Sequence, residues 1–425
     1  MSGRSLLASI NGRPVGTLAE DNGVWSFQYA EAWLSAADRF ALSPPLPLQD
    51  DRIIDGSTQR PVQWFFDNLL PEEGQRLLLS KSAKIREADA FGLLEYYGAE
   101  SAGALTLLRP GEPKPDEGGL KPLTDKSLSR RIRDLPNMPL TQKASKRMSL
   151  AGAQHKLAVV MKDSKLYEPV GARASTHILK PDHPDEDYPH SVINEWFSMR
   201  LAKAMGLDVP AVERRYVPEP IYLIERFDRE KAGEQWRRLH AIDACQLLNL
   251  DRSYKYTQGR IETLARLAAA CRGPAVVRTK LFQWLIFNVL IGNSDAHLKN
   301  LSFQVSASGV TLAPHYDLLA TGLYDSRLYQ QKNWPDRTSL AWPILEVERF
   351  SELTFEKLVE AGQALGLQKP AAERQIRQQR DKIGDVAEQL YGASLENEPE
   401  ASPAEQRCMR GIIHAVIKPM VQQLR

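Results

Sequence analysis

Cysteine is scarce: Cys245, Cys271 and Cys408 are the only three in 425 residues, and no two form a C-x-x-C pair. Their number and spacing support neither a disulfide framework nor a zinc site. Long apolar runs are also missing. The longest, near Leu285 to Ile291, is interrupted by Asn288 and is too short to span a bilayer. Met1 to Leu18 has no apolar core of the signal-peptide type, so a cytoplasmic protein without membrane association is expected. Charge of one sign is not in excess. The formal net charge is +2, too near neutral to argue by itself for a protein that coats nucleic acid. The local basic runs Arg130, Arg131, Arg133 and Lys143, Lys146, Arg147 read as solvated faces. No internal repeat is apparent. What remains is an ordinary globular composition, 43% hydrophobic and 25% charged, in a chain long enough for two or three packed units.

The chain opens as β structure. Leu6 to Ile10 and Arg13 to Leu18 flank Asn11-Gly12, a pair suited to a type I′ turn, and Asn22-Gly23 precedes the alternating strand Val24 to Tyr29. Helices are expected over Val62 to Leu70, Glu72 to Ser80 and Asp89 to Tyr97, the last stopped by Gly98. Arg109 to Asp125, rich in Pro, Gly and charge, reads as a linker. The expected divisions are an N-terminal subdomain over 1–108, a linker over 109–126, an ATP-binding lobe over 127–240 and a helical lobe over 241–425. Strands are expected at Leu157 to Met161, His177 to Lys180 and Tyr222 to Phe227, with a helix from Ser191 to Met205. Lys280 to Ile291 is apolar on nearly all sides and should be a buried helix ending at Gly292-Asn293. A hairpin follows around Ser308-Gly309, and Pro419 should bend or shorten the last helix. The expected class is α+β, a bilobal protein-kinase-like fold with a small β-rich N-terminal subdomain and a mostly helical C-terminal lobe.

Asp295 to Asn300 reads D-x-x-x-x-N, and Asp317 follows the hairpin. Kinase chemistry needs this order. One carboxylate, Asp295, receives the proton of the attacking hydroxyl, while an amide and a second carboxylate, Asn300 and Asp317, hold Mg²⁺ on ATP. A capping role before Leu318-Leu319 is the competing assignment for Asp317. His297 would orient the loop or the phosphates. Lys180, at the end of its strand, matches the lysine that neutralises the α- and β-phosphates, with Glu195 as its candidate partner. In Ser149 to Lys156, Gly152 and small alanines such as Ala153 would let backbone N–H groups approach phosphates, and Lys156 adds charge. By itself the segment is a poor phosphate loop, being neither G-x-G-x-x-G nor G-x-x-x-x-G-K-[ST].

Together these residues resemble the HipA-type serine/threonine kinase toxins of bacterial HipBA toxin–antitoxin modules. The resemblance covers nearly the whole chain, through Trp64 to Glu72, Gly98 to Leu105, Ser149 to Lys156, Asn293 to Asn300 and Tyr316 to Leu319. It implies that Asp295 is catalytic and that Asn300 and Asp317 bind Mg²⁺. Lys156 and Lys180 would contact ATP phosphates, with His297 nearby. Glu225 and Phe227 would hold adenine, and Gln246 would lie on the nucleotide side. Ser149 would be the autophosphorylated serine, whose phosphate expels the loop. His155 departs from the family, which often has Glu there, and makes the loop less acidic. Implied partners are a HipB-type helix-turn-helix antitoxin, operator DNA contacted mainly through that antitoxin, and a protein substrate, an aminoacyl-tRNA synthetase in the best-known case. Two alternatives share parts of this pattern: a small-molecule phosphotransferase, and a catalytically silent co-repressor.

Overall fold

The computed structural model describes residues 3–112, 118–141, 144, 150–152, 154–233, 235–397 and 401–425. These form two compact units: 1–181 with 215–254 and 302–313, and 182–214 with 255–301 and 314–425. Ser149 and Ala153 lie outside the described residues, as do Lys143, Lys146 and Arg147.

The first unit is β-rich. Its N-terminal sheet runs Ile53–Ile54, Val24–Tyr29, Arg13–Asp21, Arg4–Ile10, Leu105–Leu108, with antiparallel pairings throughout. Asn11-Gly12 and Asn22-Gly23 take the positive φ values that a type I′ turn needs. The helices Pro61–Asp67, Glu73–Ala83 and Ala90–Tyr97 agree with expectation to within a few residues. Gly98 does end the last of these, although its φ is ordinary. A Cβ there would meet Leu107 Cβ at 2.7 Å, so the glycine serves close packing rather than a left-handed cap.

A second sheet places Pro220–Glu225, His177–Pro181, Leu157–Lys162, Lys165–Val170 and Gly119–Pro122 side by side. Its last strand comes from the segment expected to be a linker. Gly118 sits at φ +82 with the Val170 carbonyl 2.2 Å from where a Cβ would be, so the glycine content there serves a tight strand entry. The helix Asp125–Arg133 follows, capped by the Thr124 side chain. Its basic face is not simply solvated: Arg131 pairs with the buried Glu168, and Arg133 with Glu219 at 2.6 Å. Leu128, Leu157, Val159, Leu179 and Leu223 form the core beneath this sheet. The expected hairpin is Ser302–Ser306 with Gly309–Leu312, and Ala241–Asp243 adds a third strand.

The second unit is mostly helical. Pro274–Leu290 begins earlier than expected because Pro274 takes the first helical position after Gly273, where its missing N–H costs nothing. Phe282, Trp284 and Phe287 on it are fully buried. Pro419 interrupts the regular α-helix without ending it. The turn before it, Ile412–Ile417, widens to a π-helix, and the Ala415 carbonyl that Pro419 cannot serve accepts Trp334 Nε1–H at 2.9 Å. Among the described residues, no helix is long and apolar enough to cross a membrane.

Candidate active site

Pro274–Leu290 delivers the loop of Asp295 from a buried, rigid base. Asn288 Nδ2 donates to the Trp284 carbonyl, and its Oδ1 accepts from Asn293 Nδ2 at 2.8 Å. Asn293 Oδ1 in turn accepts the Asp295 N–H at 3.0 Å. Gly292 turns the chain at φ +63, where a Cβ would collide with Trp334 at 2.5 Å. Its carbonyl accepts the Gly322 N–H at 2.8 Å, and Thr321 Oγ1 accepts the Ser294 N–H at 2.7 Å. Trp342 Nε1–H donates to the Ala296 carbonyl. Nearly every peptide group around Asp295 is thereby held.

The five-residue spacing to Asn300 closes on itself. Asn300 Nδ2 donates to the Asp295 carbonyl at 2.9 Å, which leaves the amide oxygen as the atom it can turn to a cation. Leu298–Asn300 forms a single 3₁₀ turn. Asp317 is in the left-handed region at φ +59, and no helix begins until Thr321, so it is not the helix cap considered above. Tyr316 donates its hydroxyl to the Lys299 carbonyl at 2.9 Å, tying the Asp317 segment to the loop. One amide oxygen and one carboxylate are the hard donors, few in number, that magnesium accepts beside phosphate and water.

Asp295 Oδ1 accepts the Tyr256 hydroxyl at 2.5 Å. Burial raises this carboxyl above its usual range, and Asp317 adds to the rise, while His297, Tyr256 and Lys255 oppose it. A raised carboxylate is a better proton acceptor for a hydroxyl. The Tyr256 ring also meets His297 edge-on, at 5.1 Å between ring centroids. Tyr256 is absent from the residues expected by sequence, since a tyrosine beside a lysine in a turn carries no spacing signal.

In the first unit, Lys180 lies on His177–Pro181 directly opposite Tyr222, with its Nζ 5.8 Å from the centre of that ring, and is buried. Lys156 Nζ donates to the Ala151 carbonyl at 2.6 Å. Gly152 takes φ +108, a left-handed backbone that favours glycine, and a Cβ there would stand 2.6 Å from that ammonium. Glu225 is exposed and Phe227 half-buried, whereas Arg226 and Asp228 between and beyond them are buried. Arg226 grips Asp228 through two bonds of 2.8 and 2.6 Å, and Asp228 Oδ2 accepts the Gly103 N–H at 2.7 Å. Burial alone would raise the Asp228 carboxyl, but Arg226 and Arg229 outweigh it and hold it at about 2. Glu100 completes the cluster by accepting from Arg229 at 3.0 Å and from Arg238 at 2.6 Å. The Gly98 to Leu105 signature is therefore structural: it anchors the backbone that presents Glu225 and Phe227. Gln246 Oε1 accepts the Asp243 N–H at 2.9 Å and its Nε2 donates to the Phe65 carbonyl at 2.8 Å, so its amide is occupied by a capping box and a neighbouring helix. Glu195 is buried on Ser191–Ala204 in the second unit.

Comparison with known proteins gives these parts a lineage. Residues 148–387 match the HipA-like C-terminal domain, and residues 6–108 the HipA N-terminal domain. The chain belongs to the HipA family of serine/threonine kinases. It is 39% identical over 331 residues to Y4mE of Sinorhizobium fredii, named as a kinase, across 74% of this chain and 76% of that one. It is 34% identical over 332 residues to the serine/threonine-protein kinase toxin HipA of Shewanella oneidensis, across 73% and 74%. The solved structure of Shewanella oneidensis HipA with HipB and operator DNA superposes with a TM-score of 0.82 at 26% identity, covering 99% of this chain and 97% of that one. The HipA fold is therefore shared end to end. Membership of this kinase family carries with it the use of a nucleotide and a divalent metal.

Proposed function

We propose that this HipA-family chain is the toxin of a toxin–antitoxin module and an ATP- and Mg²⁺-dependent protein kinase that acts on serine or threonine hydroxyls. The observation that carries this is the Asp295 loop, in which backbone, Asn293, Asn300 and Tyr256 together hold one carboxylate with little freedom. Bound ATP supplies the phosphoryl group and bound magnesium neutralises its charge. Asp295 orients the acceptor hydroxyl and takes its proton. Asn300 Oδ1 and the Asp317 carboxylate hold the metal. Lys180 and Lys156 bind phosphate oxygens, and His297 orients its own loop or the phosphates. Glu225 and Phe227 receive adenine on a backbone that the Arg226–Asp228 pair keeps in place. Gln246 contributes by capping Ala244–Leu248 on the nucleotide side.

For partners, the support is the relative's own assembly: a HipA with HipB on operator DNA. A helix-turn-helix antitoxin is the corresponding partner here, reading operator bases while this chain co-represses. The substrate is a translation factor, an aminoacyl-tRNA synthetase. Ser149 is the site of self-inactivation, because a phosphate there brings close to two negative charges to a segment meant for ATP phosphates.

Purified protein incubated with γ-labelled ATP and a bacterial lysate should label a protein band and Ser149. Asp295→Asn should lower the rate about 10²–10⁴-fold, the usual cost of losing a positioned general base, and should relieve growth arrest on overexpression. Equal labelling by the variant, or label found only on small molecules, would overturn the proposal.

A further inference from the structure

The residues before 109 take no direct part in the chemistry above, yet the first unit ties them to the segment that carries Lys156. Pro71 and Gly152 form a parallel β-bridge, and the Glu72 N–H points to the Gly152 carbonyl at 3.4 Å. Gln75, in the first turn of Glu73–Ala83, brings Nε2 to 2.8 Å from His155 Nδ1. His155 is buried, and Leu150 is part of the core under the second sheet. The segment is therefore held at three points: by its backbone at Gly152, by the His155 side chain and by Leu150.

Lys156 depends on all three. Its ammonium is bonded to the Ala151 carbonyl and lies 2.6 Å from where a Gly152 Cβ would stand. Where Leu150–Gly152 sits decides where that charge sits, and Pro71–Gln75 decides where Leu150–Gly152 sits. A phosphate-binding segment with a single glycine must otherwise be ordered at the expense of binding energy. A neighbour that orders it beforehand removes that cost.

We propose that Gln75, acting through His155, is a positioning residue for the ATP phosphates, and that the N-terminal domain holds the Lys156 segment in its nucleotide-binding shape. The proposal rests on the assignment of Leu150 to Lys156 as the phosphate-binding segment.

The test is calorimetric titration of the full chain with ATP and Mg²⁺. Gln75→Ala and His155→Ala should each weaken ATP about fivefold, the net worth of one ordinary hydrogen bond. The double variant should lose no more than either single one, because both remove the same bond. His155→Gln, whose amide can pair with Gln75, should restore wild-type affinity, and the melting temperature without nucleotide should stay near wild type. The proposal is overturned if Gln75→Ala binds ATP as the wild type does, or if the losses multiply in the double variant. Lys156→Ala separates the two levels. If it weakens ATP while Gln75→Ala does not, only the positioning role fails. If it too binds normally, the phosphate assignment fails with it.

Discussion

Asp295 depends on a side chain that no motif announces. Tyr256 takes one oxygen of its carboxylate, Oδ1, and so restrains the side chain. A hydrogen bond to a charged group is worth about 1.5–3 kcal/mol, so Tyr256→Phe should cut kcat by at least about tenfold with the KM for ATP unchanged. A wild-type kcat would show that only the ring matters, through its contact with His297. Gln246 shows the opposite relation of sequence to site. Resemblance alone singled it out, whereas in the structure it closes a capping box with Asp243, with both ends of the Gln246 amide engaged. Spacing alone singled out Asn300 and Asp317 as candidate metal ligands. It did not single out their donor atoms, since only the bond from Asn300 Nδ2 to the Asp295 carbonyl selects the amide oxygen for a cation.

At the scale of elements, the buried helix Pro274–Leu290 and the turn that ends it set the loop that carries Asp295. Gly292 is the pivot, because both its positive φ and the Trp334 ring exclude a side chain. Gly292→Ala should cost about 1–3 kcal/mol through strain and overpacking, seen as a lower denaturation midpoint, and should lower kinase activity as Gly322 and Thr321 lose their carbonyl. A variant with unchanged midpoint and activity would refute this account of the turn. The helix and its stop were readable from apolar residues on all sides followed by Gly-Asn. The strand Gly119–Pro122 was not, because its short polar run resembles a linker until its partner Lys165–Val170 is known. Pro419 marked the place where the last helix changes, but the form of the change, a π-helical turn whose Ala415 carbonyl is taken up by Trp334, depended on a residue far off in sequence.

For the molecule as a whole, each unit buries a neutral histidine. Burial lowers His240 in the first unit and His315 in the second from 6.5 to about 4. His240 Nε2–H donates to the Leu42 carbonyl at 2.8 Å, while Nδ1 is buried with no partner among the described residues, so a proton there would be an unpaired charge. Because the folded value is depressed, the unfolded chain binds more protons between the two values. Stability is then complete above about pH 6.5 and declines as pH falls toward 4, by roughly 3 kcal/mol for each histidine. Urea midpoints measured from pH 7.5 to 4.5 should fall accordingly. His240→Gln, which keeps a donor for Leu42 and cannot titrate in this range, should flatten that fall. An equally steep decline in the variant would assign acid sensitivity to other groups.

By itself the sequence determined the class of chemistry, through D-x-x-x-x-N and a later Asp, and the order of a β-rich part before a helical one. Both are local: they depend on spacing and on periodicities that a few neighbouring residues carry. Only the tertiary structure decided that Tyr256 meets Asp295, that Glu100 and Gly103 of the N-terminal signature secure the Arg226–Asp228 backbone, and that Gln75 reaches His155. Each of these joins residues distant along the chain through a hydrogen bond or ion pair, and such contacts leave no period in sequence because packing alone selects the partner.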